Sequence, residues 1–242
     1  MSSLDYFLNI NHVKTPSPLK YDGSSPFGRV GVQNPITVID GKNARVHEVV
    51  LGIITFHKSP PATIYDPTCG RENYQFKPWL ENGVLEKLGY KYVSGDLKAY
   101  GELVNDVFHV PLRGKSVDVI VYDPPFTTHC RIDDRGSDYD IDKERSPEEI
   151  KKYYSKNVFE EFHRVLRDGG IVIVKGADFY YPPKSTNLFF FVKMVDFEGY
   201  FTPVALYIYR YWHSCIPLLR YRLRNWKRPL ICHSYYLVLE KR

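Results

Sequence analysis

The sequence predicts a doubly wound, mostly parallel α/β sheet that closes on an antiparallel pair of strands at its C-terminus. Three observations predict it. Short apolar runs at 62–66, 90–96, 117–123 and 171–176 alternate with helical patterns. Runs such as Val119-Ile120-Val121 are apolar at consecutive positions, as strands buried on both faces are. Two further strand-like runs, 202–212 and 233–242, end the chain with only the segment 213–232 between them.

Residues 1–44 are rich in Pro, Gly, Ser and Asn, show little periodicity and read as an irregular N-terminal arm. The main domain is expected over 45–242, with a short basic insertion at about 210–232. Residues 45–58 space their apolar side chains as a helix packed on something larger does. The run "ATIYD" (62–66) is a strand ending in "PTCG", and a helical stretch follows that Pro78 and Gly83 interrupt. "YKYVSGD" (90–96) and "VDVIVYD" (117–123) are the next strands. Ser146 as cap, Pro147 at the first helical position and Glu149 three residues after the cap open a helix. Gly169 and Gly170 are expected to stop it before the strand "IVIVKG" (171–176).

At 242 residues the chain is long enough for a full core. No run of about 18 apolar residues marks a membrane span and no signal-peptide layout opens it, so a cytoplasmic protein without a membrane partner is expected. The four cysteines, Cys69, Cys130, Cys215 and Cys232, lack paired metal-ligand spacing and read as reduced thiols. His129 and Cys130 have no partner ligands at useful spacing, and no metal is expected. The net charge of +5 hints at a polyanionic partner.

One stretch demands more than a fold. In "VIVYDPPFTTHC" (119–130), Pro124 and Pro125 cannot donate to a sheet ladder, so the strand stops there. Asp123 is left at its carboxyl end, where open α/β sheets bind ligands. A strand-end carboxylate facing a crevice is expected to contribute little to the core.

With "DPPF" (123–126), "YDPTCG" (65–70), "YVSGDLK" (92–98), the run from Asn105 into the DPPF segment and "FHRVLRDGG" (162–170), the chain resembles the S-adenosylmethionine-dependent amino methyltransferases that act on nucleic acid, above all the DNA adenine-N6 and cytosine-N4 enzymes. The resemblance covers roughly 45–176 and implies a Rossmann-like methyltransferase fold. It implies catalytic roles for Asp123, Pro124, Pro125 and Phe126. It implies an S-adenosylmethionine site at Asp66, Pro67, Thr68, Cys69 and Gly70, with Asp96 on the ribose hydroxyls and Asp106 at the adenine amine. Where the family has Gly-Ser-Gly, this chain reads Gly70-Arg71-Glu72, so the loop opens differently or Glu72 points away.

The chemistry suits DPPF. An exocyclic base amine is a poor nucleophile because its lone pair is delocalised into the ring. A carboxylate and a proline-fixed backbone carbonyl accepting its two hydrogens would hold the nitrogen nearer to tetrahedral and aim it at a methyl donor. Phe126 would stack on a base that has left the duplex.

From Gly199 to Leu239 there is no Asp or Glu. Arg220, Arg222, Arg224, Lys227 and Arg228 interleave there with Tyr221 and Trp226, which suits phosphate contact and base stacking. The long charged segment 127–145 reads as a lid. The favoured reading is methyl transfer to a base amine in DNA, adenine N6 before cytosine N4, by a monomer or homodimer. An RNA base-amine methyltransferase (guanine N2 or adenine N6) and a non-catalytic nucleic-acid-binding module derived from such an enzyme are the alternatives.

Overall fold

The computed structural model describes residues 36–40, 45–71, 75–126, 146–180, 188–211, 231 and 233–242. The chain divides into two units, Met1–Gln33 and Asn34–Arg242, and every described residue lies in the second.

Ten strands and six helices are described. They are β1 (Ile36–Asp40), α1 (Val46–His57), β2 (Ala62–Asp66), α2 (Lys77–Glu81), α3 (Val84–Lys87), β3 (Tyr90–Asp96), β4 (Leu103–Val104) and β5 (Val117–Tyr122). There follow α4 (Pro147–Tyr153), α5 (Lys156–Val165), β6 (Leu166–Gly176), β7 (Phe179–Tyr180), β8 (Leu188–Phe189), α6 (Phe191–Met194), β9 (Phe201–Arg210) and β10 (His233–Lys241). Eight strands form one sheet in the order β1-β9-β10-β6-β5-β2-β3-β4, and β7 pairs with β8 apart from it. All neighbours in the large sheet run parallel except β10, which is antiparallel to both β6 and β9. The doubly wound, Rossmann-like sheet with an antiparallel C-terminal pair is therefore present.

From β2 the chain steps outward through β3 and β4; it then returns to β5 on the other side of β2 and moves away through β6. The strand order thus reverses between β2 and β5, and the crevice at such a switch point is where open α/β sheets take their ligands. Asp66 ends β2 and Asp123 follows β5, so both acids stand at that crevice.

One face of the sheet carries Tyr65, Ile120, Tyr122, Val172, Val174, Leu237 and Leu239 into a core shared with Ile150, Tyr154, Val158, Phe159 and Phe162. Helix α5 joins it because its buried residues recur at helical spacing, Val158, Phe159, Phe162 and Val165. Helix α4 begins as expected: the Glu149 N–H donates to Ser146 Oγ at 3.2 Å, and the Ser146 N–H to Glu149 Oε2 at 2.7 Å.

Two expectations are corrected. Residues 36–40 are not irregular: Ile36–Asp40 pairs in parallel with Leu206–Arg210. Nor do Gly169 and Gly170 end the helix. The helix that Ser146 opens ends at Tyr153, and a second one, α5, stops at Val165 and runs straight into β6, because the Lys115 and Ser116 N–H groups already bind the Arg164 and Val165 carbonyls at 3.0 and 2.8 Å.

Candidate active site

Four acids sit at strand ends or in the turns beyond them, and three behave alike. Asp66 Oδ1 accepts the Thr68 N–H at 3.0 Å, Asp96 Oδ1 the Lys98 N–H at 2.9 Å, and Asp106 Oδ1 the Phe108 N–H at 3.0 Å. Each carboxylate folds back onto the amide two residues ahead, the turn that aspartate forms readily. Asp123 cannot do this, because the residue two ahead is Pro125, which has no N–H. Its carboxylate is left for partners from elsewhere in the fold.

Those partners come from the sheet register and from the segment ahead of α2. Val121 pairs with Ile173 across β5 and β6, so Asp123 and Lys175, two residues further along each strand, point to the same face. Lys175 Nζ donates to Asp123 Oδ2 at 2.6 Å, and Gln75 Nε2 donates to the same oxygen at 2.7 Å. The Asp123 N–H donates to Thr68 Oγ1 at 2.9 Å, which ties the β5 end to the β2 loop. Among the described residues Asp123 Oδ1 accepts no hydrogen bond, so it is the oxygen left to face a ligand. Lys175 is only 8% exposed. Burial would by itself strip its proton, but the charge of Asp123 outweighs it and holds the ammonium above its ordinary value. Phe126 is half-buried, with Lys175 Nζ 5.9 Å from its ring centroid.

The expectation that Asp123 contributes little to the core is corrected by this pairing: it neutralises a buried ammonium. Sequence reasoning passed over both Lys175 and Gln75. Lys175 had left a signal, a lone charge at the carboxyl end of an otherwise apolar strand beside DPPF. Gln75 left none.

On the other side of the crevice, Asp66 is fully buried, and Tyr92 donates its hydroxyl to Asp66 Oδ2 at 3.3 Å. Burial pushes its carboxyl up to about 7; the Thr68 N–H bond opposes the rise and the charge of Asp123 adds to it. Cys69 is buried and free, its thiol pushed up to about 12 by burial and then by Asp66 and Asp96. Gly70 takes φ +63, a left-handed conformation that suits glycine, and a Cβ there would meet nothing within 4 Å among the described residues. Its N–H donates to Asp96 Oδ2 at 3.1 Å, which brings the β2 loop and the half-buried β3-end acid together. Asn105, also unforeseen, braces them: its N–H donates to the Asp96 carbonyl at 3.2 Å and its amide to the Pro67 carbonyl at 3.4 Å. Asp106, one residue on, is exposed and closed on its own turn.

Asp66, Pro67, Thr68, Cys69, Gly70, Asp96 and Asp123 to Phe126 thus gather around the β2–β5 switch point. Glu72, the segment 127–145, and Arg220, Arg222, Arg224, Lys227 and Arg228 lie outside the described residues. Cys130, Cys215 and Cys232 do too. No described helix is long and apolar enough to cross a membrane.

No protein-family model and no curated protein matches the chain. Among solved structures it is similar to the PH0226 protein from Pyrococcus horikoshii OT3 (15% identity, TM-score 0.46, covering 82% of this chain and 90% of that one). It is also similar to a Burkholderia thailandensis 1,6-didemethyltoxoflavin-N1-methyltransferase with bound S-adenosylhomocysteine (14%, TM-score 0.46, 81% and 78%). A third is an S-adenosylmethionine-dependent methyltransferase from Archaeoglobus fulgidus (12%, TM-score 0.42, 81% and 94%). At these identities and scores the likeness adds no weight, and the fold is read from this chain's own strand order and pairing.

Proposed function

We propose that the chain is an S-adenosylmethionine-dependent methyltransferase acting on an exocyclic base amine in DNA, adenine N6 before cytosine N4. The observation that carries the reading is the carboxylate of Asp123, anchored through Oδ2 and the backbone while Oδ1 stays open at the switch point.

The β2 loop fits the cofactor. Gly70 is uncrowded among the described residues and sits beside the Asp96 carboxylate, which would accept ribose hydroxyls, and the amides beyond Gly70 would meet the methionine carboxylate. When bound, S-adenosylmethionine supplies an electrophilic methyl on sulfur. Asp66, fully buried, buttresses this loop from within.

Asp123 Oδ1 and the Pro124 carbonyl would accept the two hydrogens of the base amine. They keep its lone pair out of the ring and direct it along one line of attack. Asp123 Oδ1 then takes the proton that the methylated nitrogen sheds. Phe126 offers a ring for the extruded base to lie against. Arg220, Arg222, Arg224, Lys227 and Arg228 would contact phosphates.

The test is incubation of the protein with labelled S-adenosylmethionine and either DNA or RNA, followed by digestion and identification of the labelled nucleoside. N6-methyladenine or N4-methylcytosine in DNA is expected. Label in RNA alone would move the substrate to RNA, and label on a ring carbon or ribose oxygen would overturn the amine reading.

A further inference from the structure

We infer that Lys175 is a positioning residue that sets the acceptor class: by holding Asp123 through Oδ2 and cancelling its charge, it makes the crevice a site for a neutral, planar amine and not for a protonated aliphatic one. This rests on the base-amine reading above.

The geometry has three parts. First, Lys175 Nζ from β6 and Gln75 Nε2 from the turn ahead of α2 both reach Asp123 Oδ2, at 2.6 and 2.7 Å. The carboxylate is pinned in rotation, and only Oδ1 is offered. Second, the anchor is a cation. A protonated aliphatic amine approaching Oδ1 would bring a second ammonium to a carboxylate already paired with one, in a crevice where like charges repel strongly. A base amine carries no charge and meets no such penalty. Third, the polar atoms that flank the pair are themselves neutral. Among the described residues Gln75 Oε1 and the Tyr236 hydroxyl are buried without a hydrogen-bond partner. Tyr236 pairs with Lys175 across β10 and β6 and so shares its face. Buried polar atoms left unpaired are costly and call for an explanation; these two flank the Asp123–Lys175 pair.

Among the described residues, these groups face the pair: Asp66 from β2, Tyr236 from β10, Tyr211 from just after β9 and Tyr154 from just after α4. Tyr154 and Tyr236 are both held well above the ordinary phenol value by burial and stay neutral.

The experiment compares wild type with Lys175→Met, Lys175→Gln and Lys175→Arg, on an oligonucleotide and on butylamine as acceptors. Cofactor binding is followed by calorimetry. For Lys175→Met and Lys175→Gln, kcat on the oligonucleotide should fall by about a hundredfold, the cost of a misplaced attacking atom, with KM and cofactor affinity little changed. Their rates should also turn down on the acid side of neutrality, where wild type stays level, and Lys175→Arg should restore the wild-type profile. If Lys175→Met does not fold, Lys175→Gln, which keeps a donor and removes the charge, carries the test.

A wild type active on the oligonucleotide, with neutral variants matching it in kcat and pH profile, would overturn the role of Lys175 and leave the base-amine reading standing. A wild type that methylates butylamine and no nucleic acid, or neither, would overturn both.

Discussion

The two sides of the crevice hold their acids in opposite ways. At the ends of β2 and β3 and in the turn beyond β4, Asp66, Asp96 and Asp106 each bind the amide two residues ahead. Beyond β5, Asp123 is held by Gln75, 48 residues before it, and Lys175, 52 residues after it. The difference teaches what the second proline of DPPF does here. By removing the amide that would capture the carboxylate, it leaves Asp123 to be placed by the tertiary fold. Acids that shape loops can be held locally, whereas an acid denied its local amide is held by partners distant in sequence.

The largest expected effect tests the distant anchoring. Asp123→Ala leaves the Lys175 ammonium buried and uncompensated, which should cost about 3–5 kcal/mol of stability. The double variant Asp123→Ala/Lys175→Met should regain most of it, measured by urea unfolding. Equal losses in the single and double variants would mean that the ion pair contributes nothing.

Next comes the pH dependence of the cofactor side. Asp66 has an ordinary value of 3.8 and a folded value of about 7. Between these the folded protein binds more protons than the unfolded chain, so this group makes stability fall as pH rises through that window, by roughly 4 kcal/mol in all. Half-buried histidines such as His57, whose folded value is lowered, slope the other way. Comparing wild type with Asp66→Asn isolates the acid: the variant's relative stability should grow from pH 4 towards pH 8. A constant difference would place Asp66 in a wetter setting.

Phe126→Ala should weaken capture of the base by about 1–3 kcal/mol, seen as a raised KM, while Phe126→Trp keeps a stacking face and retains activity. The smallest effect is the most pointed. Pro125→Ala supplies the missing amide, and a competing turn bond should cost about 1 kcal/mol, several-fold in kcat/KM, with cofactor affinity unchanged. No change would show that the amide does not compete for the carboxylate.

What could be read from the sequence follows the same division. Strand ends at Asp66 and Asp96 and the helix start at Ser146 agree with the structure, because apolar runs, turns and caps are written in adjacent residues. The Ile36–Asp40 strand was hidden: five residues in a Pro- and Gly-rich context acquire their conformation from β9, far along the chain. Lys175 and Gln75 escaped for a related reason. Nothing near them in sequence names Asp123 as their partner; sheet register brings Lys175 to it, and the fold ahead of α2 brings Gln75.

The central claim is that Asp123, open at Oδ1, orients a base amine for methylation. Nucleoside mass spectrometry on DNA treated with wild type and with Asp123→Ala/Lys175→Met, which removes both members of the buried ion pair, tests it most directly. N6-methyladenine or N4-methylcytosine is expected from wild type and none above background from the double variant, with cofactor binding intact in both. Methylation confined to a ring carbon or a ribose oxygen, or full activity in the double variant, would contradict the claim.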